Sequence, residues 1–258
     1  MITAGLYISF ALILGLLIGS FLNVCIHRIP KGLSIVTPPS SCPTCKKKIS
    51  WYDNIPILSF IILRGKCRNC GEKISWRYPL VEAMSGILAA LLVYKFGPTV
   101  EFAVLYTFCA SLIVISMIDL QYQIIPNEIS ISGIILGFIY SFFNPQLPWK
   151  ASLLGILVGG GILALIALIY YLLMKSEGMG GGDIKLLAMI GAFLGIGGVI
   201  FTLVVGSIVG SVIGIIMMLK DKGDSKAKIP FGPFLSLGAV GYIFFGGMLF
   251  DTYFGLLW

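Results

Sequence analysis

Long runs of apolar residues, separated by short polar segments, make up most of the chain. A helix needs about 20 apolar residues to cross the hydrocarbon core of a bilayer, and most of these runs approach that length. The pattern therefore predicts an all-α polytopic membrane protein with about eight transmembrane helices. We expect them near Gly5–Ile26, Pro79–Phe96, Glu101–Asp119, Ile129–Phe143, Ala151–Met174, two within Leu186–Leu219, and one within Pro230–Leu257.

Composition supports the same class. The chain is 58% hydrophobic and only 11% charged, whereas soluble domains carry about 25% charged residues. The uncharged run 186–219 is too long for one crossing, and we expect the glycines of GIGG at 195–198 to divide it. The first run lacks a preceding basic region, so we expect a retained span and not a cleaved leader. We find no internal repeat.

Basic residues are concentrated in one polar segment, which predicts the orientation. Ten Lys or Arg lie between Arg28 and Arg77, against the acids Asp53 and Glu72. A basic excess marks the cytoplasmic side of membrane proteins, and attraction to anionic lipid headgroups can accompany it. We therefore expect an outer N-terminus and cytoplasmic loops at 120–127, 175–185 and 220–228. No pattern suggests nucleic-acid binding.

Four of the six cysteines form two CxxC pairs inside this basic segment: Cys42, Cys45, Cys67 and Cys70. Two such pairs at this spacing predict a tetrahedral four-cysteine zinc site, as in a zinc ribbon. Disulfides or a redox dithiol are the alternatives, and a reducing cytoplasm disfavours structural disulfides. Four thiolates leave no open coordination position, so we expect structural Zn²⁺ that stabilises a small insertion between the first two transmembrane helices.

Two aspartates stand at the ends of apolar spans, Asp119 and Asp183. An ionisable residue within a membrane span is costly, so it is a functional candidate by default. The predicted topology places both at the cytoplasmic face, where two carboxylates sharing a proton could activate water as an aspartic protease does. Each aspartate also has a purely structural interpretation. Asp119 could be an interfacial carboxylate paired with a lysine, and Asp183 could be a helix N-cap.

Three glycines, Gly180, Gly181 and Gly182, precede Asp183. We expect them to adopt positive φ and to let a substrate strand approach the backbone, although a flexible loop before a helix is the simpler interpretation. Two other function classes stay open at this point. One is a non-enzymatic scaffold whose zinc ribbon recruits a partner, and the other is a proton-coupled transporter using both aspartates. The chain shows no paired halves of the kind that transporters contain.

Several longer motifs resemble the type IV prepilin peptidases over essentially the whole chain. They are GSFLNVCIHRIP at 19–30, the CxxC pairs, ISWYDNIPILSF at 49–60, LRGKCRNCGEKISWRYPLVE at 63–82, the Asp119 segment through IIPNE, and GMGGGDIKLLA at 178–188. The last contains the GxGD motif of aspartic intramembrane-type proteases. The resemblance implies cleavage of the leader of prepilins and pseudopilins, with Asp119 and Asp183 as the catalytic dyad and Gly180–Gly182 and Lys185 positioning the substrate.

The resemblance also implies N-methylation of the new N-terminal residue with S-adenosylmethionine. We expect this activity in the segment 27–79, with the first helix at 1–26 and the peptidase domain at 80–258. Gly65 and Glu82 are the candidate methyltransferase residues, and Glu82 would hold or deprotonate the substrate ammonium. Each residue also has a structural interpretation: Gly65 could allow the turn before Cys67, and Glu82 could form a salt bridge to Arg77. The expected location is the bacterial inner membrane, with the bilayer and prepilins as partners and an oligomeric state that the sequence leaves open.

Overall fold

A computed structural model describes residues 2–175, 180–220 and 230–253. Within these ranges the chain is helical, with two short 3-10 turns at Ile29–Lys31 and Trp51–Asn54. The predicted all-α class is thus confirmed. The helices are α1 (Ile2–Arg28), α2 (Leu58–Ile62), α3 (Arg77–Phe96), α4 (Val100–Tyr122), α5 (Asn127–Ser141), α6 (Trp149–Met174), α7 (Gly181–Lys220) and α8 (Gly232–Tyr253).

Five helical segments among the described residues are long and apolar enough to cross a bilayer. α5, with 15 residues, and the apolar stretch Gly232–Gly246 of α8 are shorter than that length. The predicted multi-pass architecture agrees with these helices, but length alone does not establish eight spans. The five segments are Gly5–Lys31, Arg77–Phe96, Val100–Tyr122, Trp149–Met174 and Gly181–Leu219.

The helix α7 is interrupted where the glycine pattern predicts a break. It has 40 residues, and Gly195 within it adopts φ 66° and ψ −169°, which is not helical. A straight helix of this length would measure about 60 Å, roughly twice the hydrocarbon thickness of a bilayer. Gly195 therefore divides α7 into two shorter helices, and the predicted break within 195–198 is confirmed at its first residue.

The chain separates into two compact units, Met1–Val114 and Ile115–Trp258. In the first unit, α1 and α3 pack through small residues, as helices in membranes commonly do. A Cβ atom on Gly19 would lie 2.7 Å from Cα of Glu82, so only glycine fits there. The Ser85 hydroxyl donates a 2.7 Å hydrogen bond to the Gly15 carbonyl. This close packing fixes the position of Glu82 beside α1.

In the second unit, α7 packs against α5, α6 and α8. Glycines again permit the approach, because a side chain on Gly155 of α6 would collide with the Gly191 carbonyl of α7. The Ser152 hydroxyl donates a 2.8 Å hydrogen bond to the Ala192 carbonyl across the same interface. These contacts hold the beginning of α7, and hence Asp183, against its neighbours. The loop predicted at 220–228 lies almost entirely outside the described residues.

Candidate functional site

The four cysteines predicted as zinc ligands lie together in the first unit. All four Sγ atoms lie within 4.8 Å of one another, and the Sγ atoms of Cys42 and Cys70 are 3.8 Å apart. Zn–S bonds of about 2.3 Å in a tetrahedron would place neighbouring sulfurs about 3.8 Å apart. None of the cysteines forms a disulfide. The donor set and spacing therefore fit a four-thiolate metal site.

Two backbone knuckles of the same design present these cysteines. The Cys42 N–H donates to the Lys47 carbonyl at 3.0 Å, and the Cys67 N–H donates to the Glu72 carbonyl at 2.8 Å. Each knuckle is closed by an antiparallel bridge, Ser41 with Lys48 and Lys66 with Lys73.

The backbone turns in the same way in both knuckles. The residue after the second cysteine has a positive φ in each, Lys46 at 60° and Gly71 at 73°.

This symmetry corrects our expectation that the chain has no internal repeat. The sequences 41–51 (SCPTCKKKISW) and 66–76 (KCRNCGEKISW) match at an offset of 25 residues. Each copy is only 11 residues long and the repeat occurs only twice, so it produces little periodicity in the sequence. Each copy supplies two ligands to one cluster, so neither copy could complete a tetrahedral site alone.

Hydrogen bonds within the cysteine cluster shift the pKa values of Cys42 and Cys70 in opposite directions. A hydrogen bond from the Cys45 backbone lowers the pKa of Cys42 to about 6, against the opposing effect of burial. At Cys70 the Glu72 backbone favours the thiolate, but burial and hydrogen bonds with the other thiols raise the pKa to about 12.

A charged pair ties the second knuckle to the segment before α2. Nε and Nη2 of Arg68 donate to the Asp53 carboxylate at distances of 2.6 to 3.1 Å. The guanidinium also lies 5.6 Å from the ring centroid of Tyr52. The hydrogen bonds from Arg68 lower the pKa of Asp53. Asp53 thus has a structural partner within the cysteine segment.

Asp119 is buried near the end of α4, with 5% of its surface exposed. The Gly232 N–H donates a 2.9 Å hydrogen bond to Oδ2 of Asp119. Gly232 is the first residue of α8, where backbone N–H groups lack partners within the helix and the helix dipole is positive. A Cβ atom at Gly232 would lie 2.7 Å from the same oxygen. A side chain at position 232 would therefore displace the Asp119 carboxylate from this position.

Asp183 lies in the first turn of α7, partly buried, within the same unit as Asp119. Ile125, six residues after Asp119, lies against Gly182, the residue before Asp183, because a Cβ atom at Gly182 would lie 2.9 Å from Cβ of Ile125. The structure thus brings together the two aspartates singled out from the sequence. Their assignment as a catalytic dyad stays a prediction.

The three glycines before Asp183 behave differently from our expectation. None of them has a positive φ, so the prediction of left-handed backbone there is wrong. Gly182 is nonetheless required by packing, because a Cβ atom would lie 2.9 Å from Cβ of Ile125. No contact restricts Gly181, and a Cβ atom at Gly180 would meet only the Gly182 nitrogen, at 4.0 Å. The close approach is to the chain's own α4–α5 connection.

Lys185 is held by Asn127, a residue that no sequence motif marks as functional. Its Nζ atom donates a 2.7 Å hydrogen bond to Oδ1 of Asn127, the first residue of α5. This bond joins the beginning of α7 to the beginning of α5, beside the Ile125–Gly182 contact. A substrate-positioning role for Lys185 stays a prediction.

The candidate methyltransferase residue Glu82 is buried in α3, 8% exposed. Its Oε2 atom accepts a 2.8 Å hydrogen bond from the backbone N–H of Ile57. Gly65 follows α2 with φ 67°, and a Cβ atom there would lie 3.1 Å from the Phe60 ring. Gly65 thus serves the turn before Cys67, as its alternative interpretation proposed, and Glu82 anchors the chain at Ile57. Neither contact tests the methyltransferase role.

Sequence reasoning missed Gly232 and Ile57, although both contact a candidate site residue. Gly232 lies between prolines in IPFGPF, a helix-start pattern that could have drawn attention to it. Ile57 acts through its backbone and has an unusual conformation, with φ 59° and ψ −47°. No side-chain property marks such a position in a sequence.

Two family profiles match the chain. Residues 13–96 match the Bacterial Peptidase A24 N-terminal domain, and residues 106–215 match the Type IV leader peptidase family. The first range contains the cysteine cluster and Glu82, and the second contains both aspartates. No solved structure matches the chain.

Named relatives are similar to the chain over nearly its whole length. A protein of Xanthomonas campestris pv. campestris is 37% identical over 264 residues, covering 93% of this chain and 92% of the relative. One from Burkholderia pseudomallei is 32% identical, covering 94% and 86%. One from Pseudomonas aeruginosa is 33% identical, covering 96% and 93%. All three are named prepilin leader peptidase/N-methyltransferase. On these matches, the chain belongs to the type IV leader peptidase family.

Proposed function

We propose that the chain cleaves the leader peptide of type IV prepilins and pseudopilins and then methylates the new N-terminal amine. The names of its relatives support both activities. The observation that carries the peptidase half is the buried Asp119 carboxylate, held by the N-terminus of α8 in the same compact unit as Asp183. Neither a scaffold nor a transporter is favoured by this family membership.

The two carboxyl groups would divide the work of amide hydrolysis. The hydrogen bond from Gly232 suits Asp119 to hold the negative charge, because a charged acceptor strengthens such a bond. Asp119 would take a proton from water as the water oxygen attacks the scissile carbonyl. Protonated Asp183 would polarise that carbonyl oxygen. Collapse of the tetrahedral intermediate breaks the C–N bond, and the departing amine receives the proton held by Asp119.

The proposed topology has eight spans, an outer N-terminus and a catalytic side facing the cytoplasm. The five long apolar segments, the shorter α5 and α8, and the division of α7 at Gly195 together support eight crossings. With this count the end of α4 that carries Asp119 and the beginning of α7 share one face. That face also carries the basic segment, whose charge favours the cytoplasm.

Methyl transfer is assigned to the segment 27–79 together with Glu82, and peptide cleavage to 80–258. S-adenosylmethionine would supply an activated methyl group. The buried Glu82 carboxylate is chemically suited to bind an N-terminal ammonium and to accept its proton before transfer. Packing of Gly19 against Glu82 and the bond from Ile57 hold that carboxylate in place. Gly65 would act indirectly, by setting the turn that follows α2.

Zn²⁺ would bind the four cysteines in a structural role. The convergence of four sulfurs within 4.8 Å supports this, and such a site has no position left for substrate. The metal would link both knuckles and stabilise a segment that is too small to have a sizeable core. The partners are then the bilayer and the prepilin or pseudopilin substrates.

The decisive assay combines purified protein in lipid vesicles with a prepilin and methyl-labelled S-adenosylmethionine. We expect a shortened pilin that carries the label on its N-terminal residue. Supplying a pilin that has already lost its leader separates the two steps, because label transfer then requires no cleavage. Absence of cleavage in a well-folded preparation would refute the peptidase assignment, whereas cleavage without label would refute only the methyltransferase half.

A further inference from the structure

The segment between the two cysteine pairs turns back toward the membrane. Oε2 of Glu82 accepts the Ile57 N–H at 2.8 Å, and Glu82 lies five residues into α3 from Arg77. Five residues of helix correspond to about 7.5 Å. Cα of Glu82 therefore lies below that of Arg77 along a helix that we treat as membrane-spanning, and the bond to its carboxylate brings Ile57, and α2 directly after it, to the first turns of that helix. At that depth a side chain reaches the edge of the hydrocarbon region.

The side chains of α2 agree with this depth. Leu58, Ile61 and Ile62 are 50%, 64% and 64% exposed, although all are large and apolar. Trp76, at the beginning of α3, is 77% exposed. Exposed apolar groups beside a tryptophan at the end of a span are typical of a surface in contact with the membrane interface.

A cavity of about 700 Å³ lies against α2. Apolar side chains form much of its wall, including Phe60, Ile74 and Pro79. Three cationic side chains also line it, Arg64, Lys66 and Lys73, and no carboxylate does. None of the three cations forms an ion pair within the described part of the chain. The cavity thus combines a largely apolar wall with three cationic side chains, and Ile61 of the exposed face of α2 also lines it.

We propose that this cavity and the exposed face of α2 bind an anionic phospholipid of the adjoining leaflet. An acyl chain would lie against α2 and the apolar wall, and the phosphate would lie among Arg64, Lys66 and Lys73. A cationic ligand such as S-adenosylmethionine, with its sulfonium, suits three unpaired cations poorly. Juxtamembrane Lys and Arg attract anionic lipid by about 1 kcal/mol each. The site would anchor the segment whose Ile57 holds Glu82.

Quenching of tryptophan by brominated lipids tests the proposal directly. A variant with Trp51, Trp149 and Trp258 changed to Phe retains Trp76 as its only tryptophan. It is reconstituted in phosphatidylcholine vesicles that contain a small fraction of lipid brominated near the head-group end of its acyl chains. We expect brominated phosphatidylglycerol to quench Trp76 with an apparent affinity on the order of a hundredfold above that of brominated phosphatidylcholine.

Two triple variants, each lacking three positive charges, test which cations attract the anionic lipid. Arg64→Gln, Lys66→Gln and Lys73→Gln together should abolish the preference. The control Lys46→Gln, Lys47→Gln and Lys48→Gln removes equal charge from the first knuckle, away from the cavity, and should retain it. Native mass spectrometry of the unmodified chain should show retained phosphatidylglycerol as a second measurement. Equal quenching by both lipids, loss of the preference in both triple variants, or its displacement by S-adenosylmethionine would overturn the proposal.

Discussion

The backbone N–H of Gly232 donates a 2.9 Å hydrogen bond to the buried carboxylate of Asp119. The bond joins the first residue of α8 to a residue 113 positions earlier. It places the positive end of a helix dipole at one of the two candidate catalytic acids. A glycine that carries no chemistry of its own thereby becomes part of the proposed active site.

Gly232→Ala should reduce cleavage sharply, because its methyl group would lie 2.7 Å from Oδ2 of Asp119 and displace the carboxylate. Loss of a hydrogen bond to a charged group costs about 1.5–3 kcal/mol, or roughly 10- to 150-fold in rate. Gly241→Ala is the matched control, since its Cβ would lie 3.5 Å from the Phe201 ring, an ordinary contact distance. Equal rates for both variants would show that the Gly232 contact is unimportant to catalysis.

The cysteine cluster should bind one zinc ion per chain. Changing any of Cys42, Cys45, Cys67 and Cys70 to Ser should lower the metal content measured by elemental analysis of purified protein, because four sulfurs converge within 4.8 Å. Cys25→Ala is the control, since Cys25 lies buried in α1 and outside the cluster. Stoichiometric zinc in a variant lacking all four thiols would disprove the ligand set.

The Asp53–Arg68 pair should make the cysteine segment sensitive to acid. Arg68 lowers the pKa of Asp53, so the pair stabilises the folded segment above the ordinary aspartate pKa, and that stability is lost as pH falls through the lowered value. Asp53→Asn should increase proteolysis of the segment at neutral pH and should differ little from the unmodified chain once Asp53 is protonated. If Asp53→Asn and the unmodified chain still differ equally in proteolysis under strongly acidic conditions, the Asp53–Arg68 pair is not the cause of the difference.

Glu82→Gln should separate the two proposed activities. The glutamine amide oxygen can still accept the Ile57 N–H, so the local fold should persist while the negative charge is removed. We expect label transfer from S-adenosylmethionine to a leaderless pilin to be lost, with prepilin cleavage retained. Glu128→Gln, at the beginning of α5, removes one acid elsewhere and should leave methylation intact. Normal methylation by the Glu82 variant would exclude a role for its charge.

Much of this architecture is predictable from the sequence because apolar run length and charge position are direct consequences of the bilayer. The break at Gly195 and the convergence of four cysteines could both be anticipated, since each follows from a local pattern. The pairing of Asp119 with Asp183 could be proposed from topology alone. The contact of Gly232 with Asp119 could not be predicted, because a backbone donor 113 residues away in the chain leaves no signal in the sequence.

The errors have similar physical origins. Glycine is compatible with positive φ but does not require it, so three glycines in a row do not by themselves predict a left-handed backbone at Gly180–Gly182. Packing against Ile125 explains the glycine at position 182 only. The return of the segment at Ile57 to Glu82 depends on a tertiary hydrogen bond and on a residue in an uncommon conformation. Span number is also underdetermined, because α5 is shorter than a full crossing.

Paired acid-to-amide substitutions test the central claim most directly. Asp119→Asn and Asp183→Asn are each assayed for prepilin cleavage, with Glu101→Gln at the opposite end of α4 as the control. Label transfer to a leaderless pilin reports whether each variant is folded. We predict that both Asn variants lose cleavage and still methylate, whereas the control does both. Cleavage at the normal rate by either Asn variant would contradict the account.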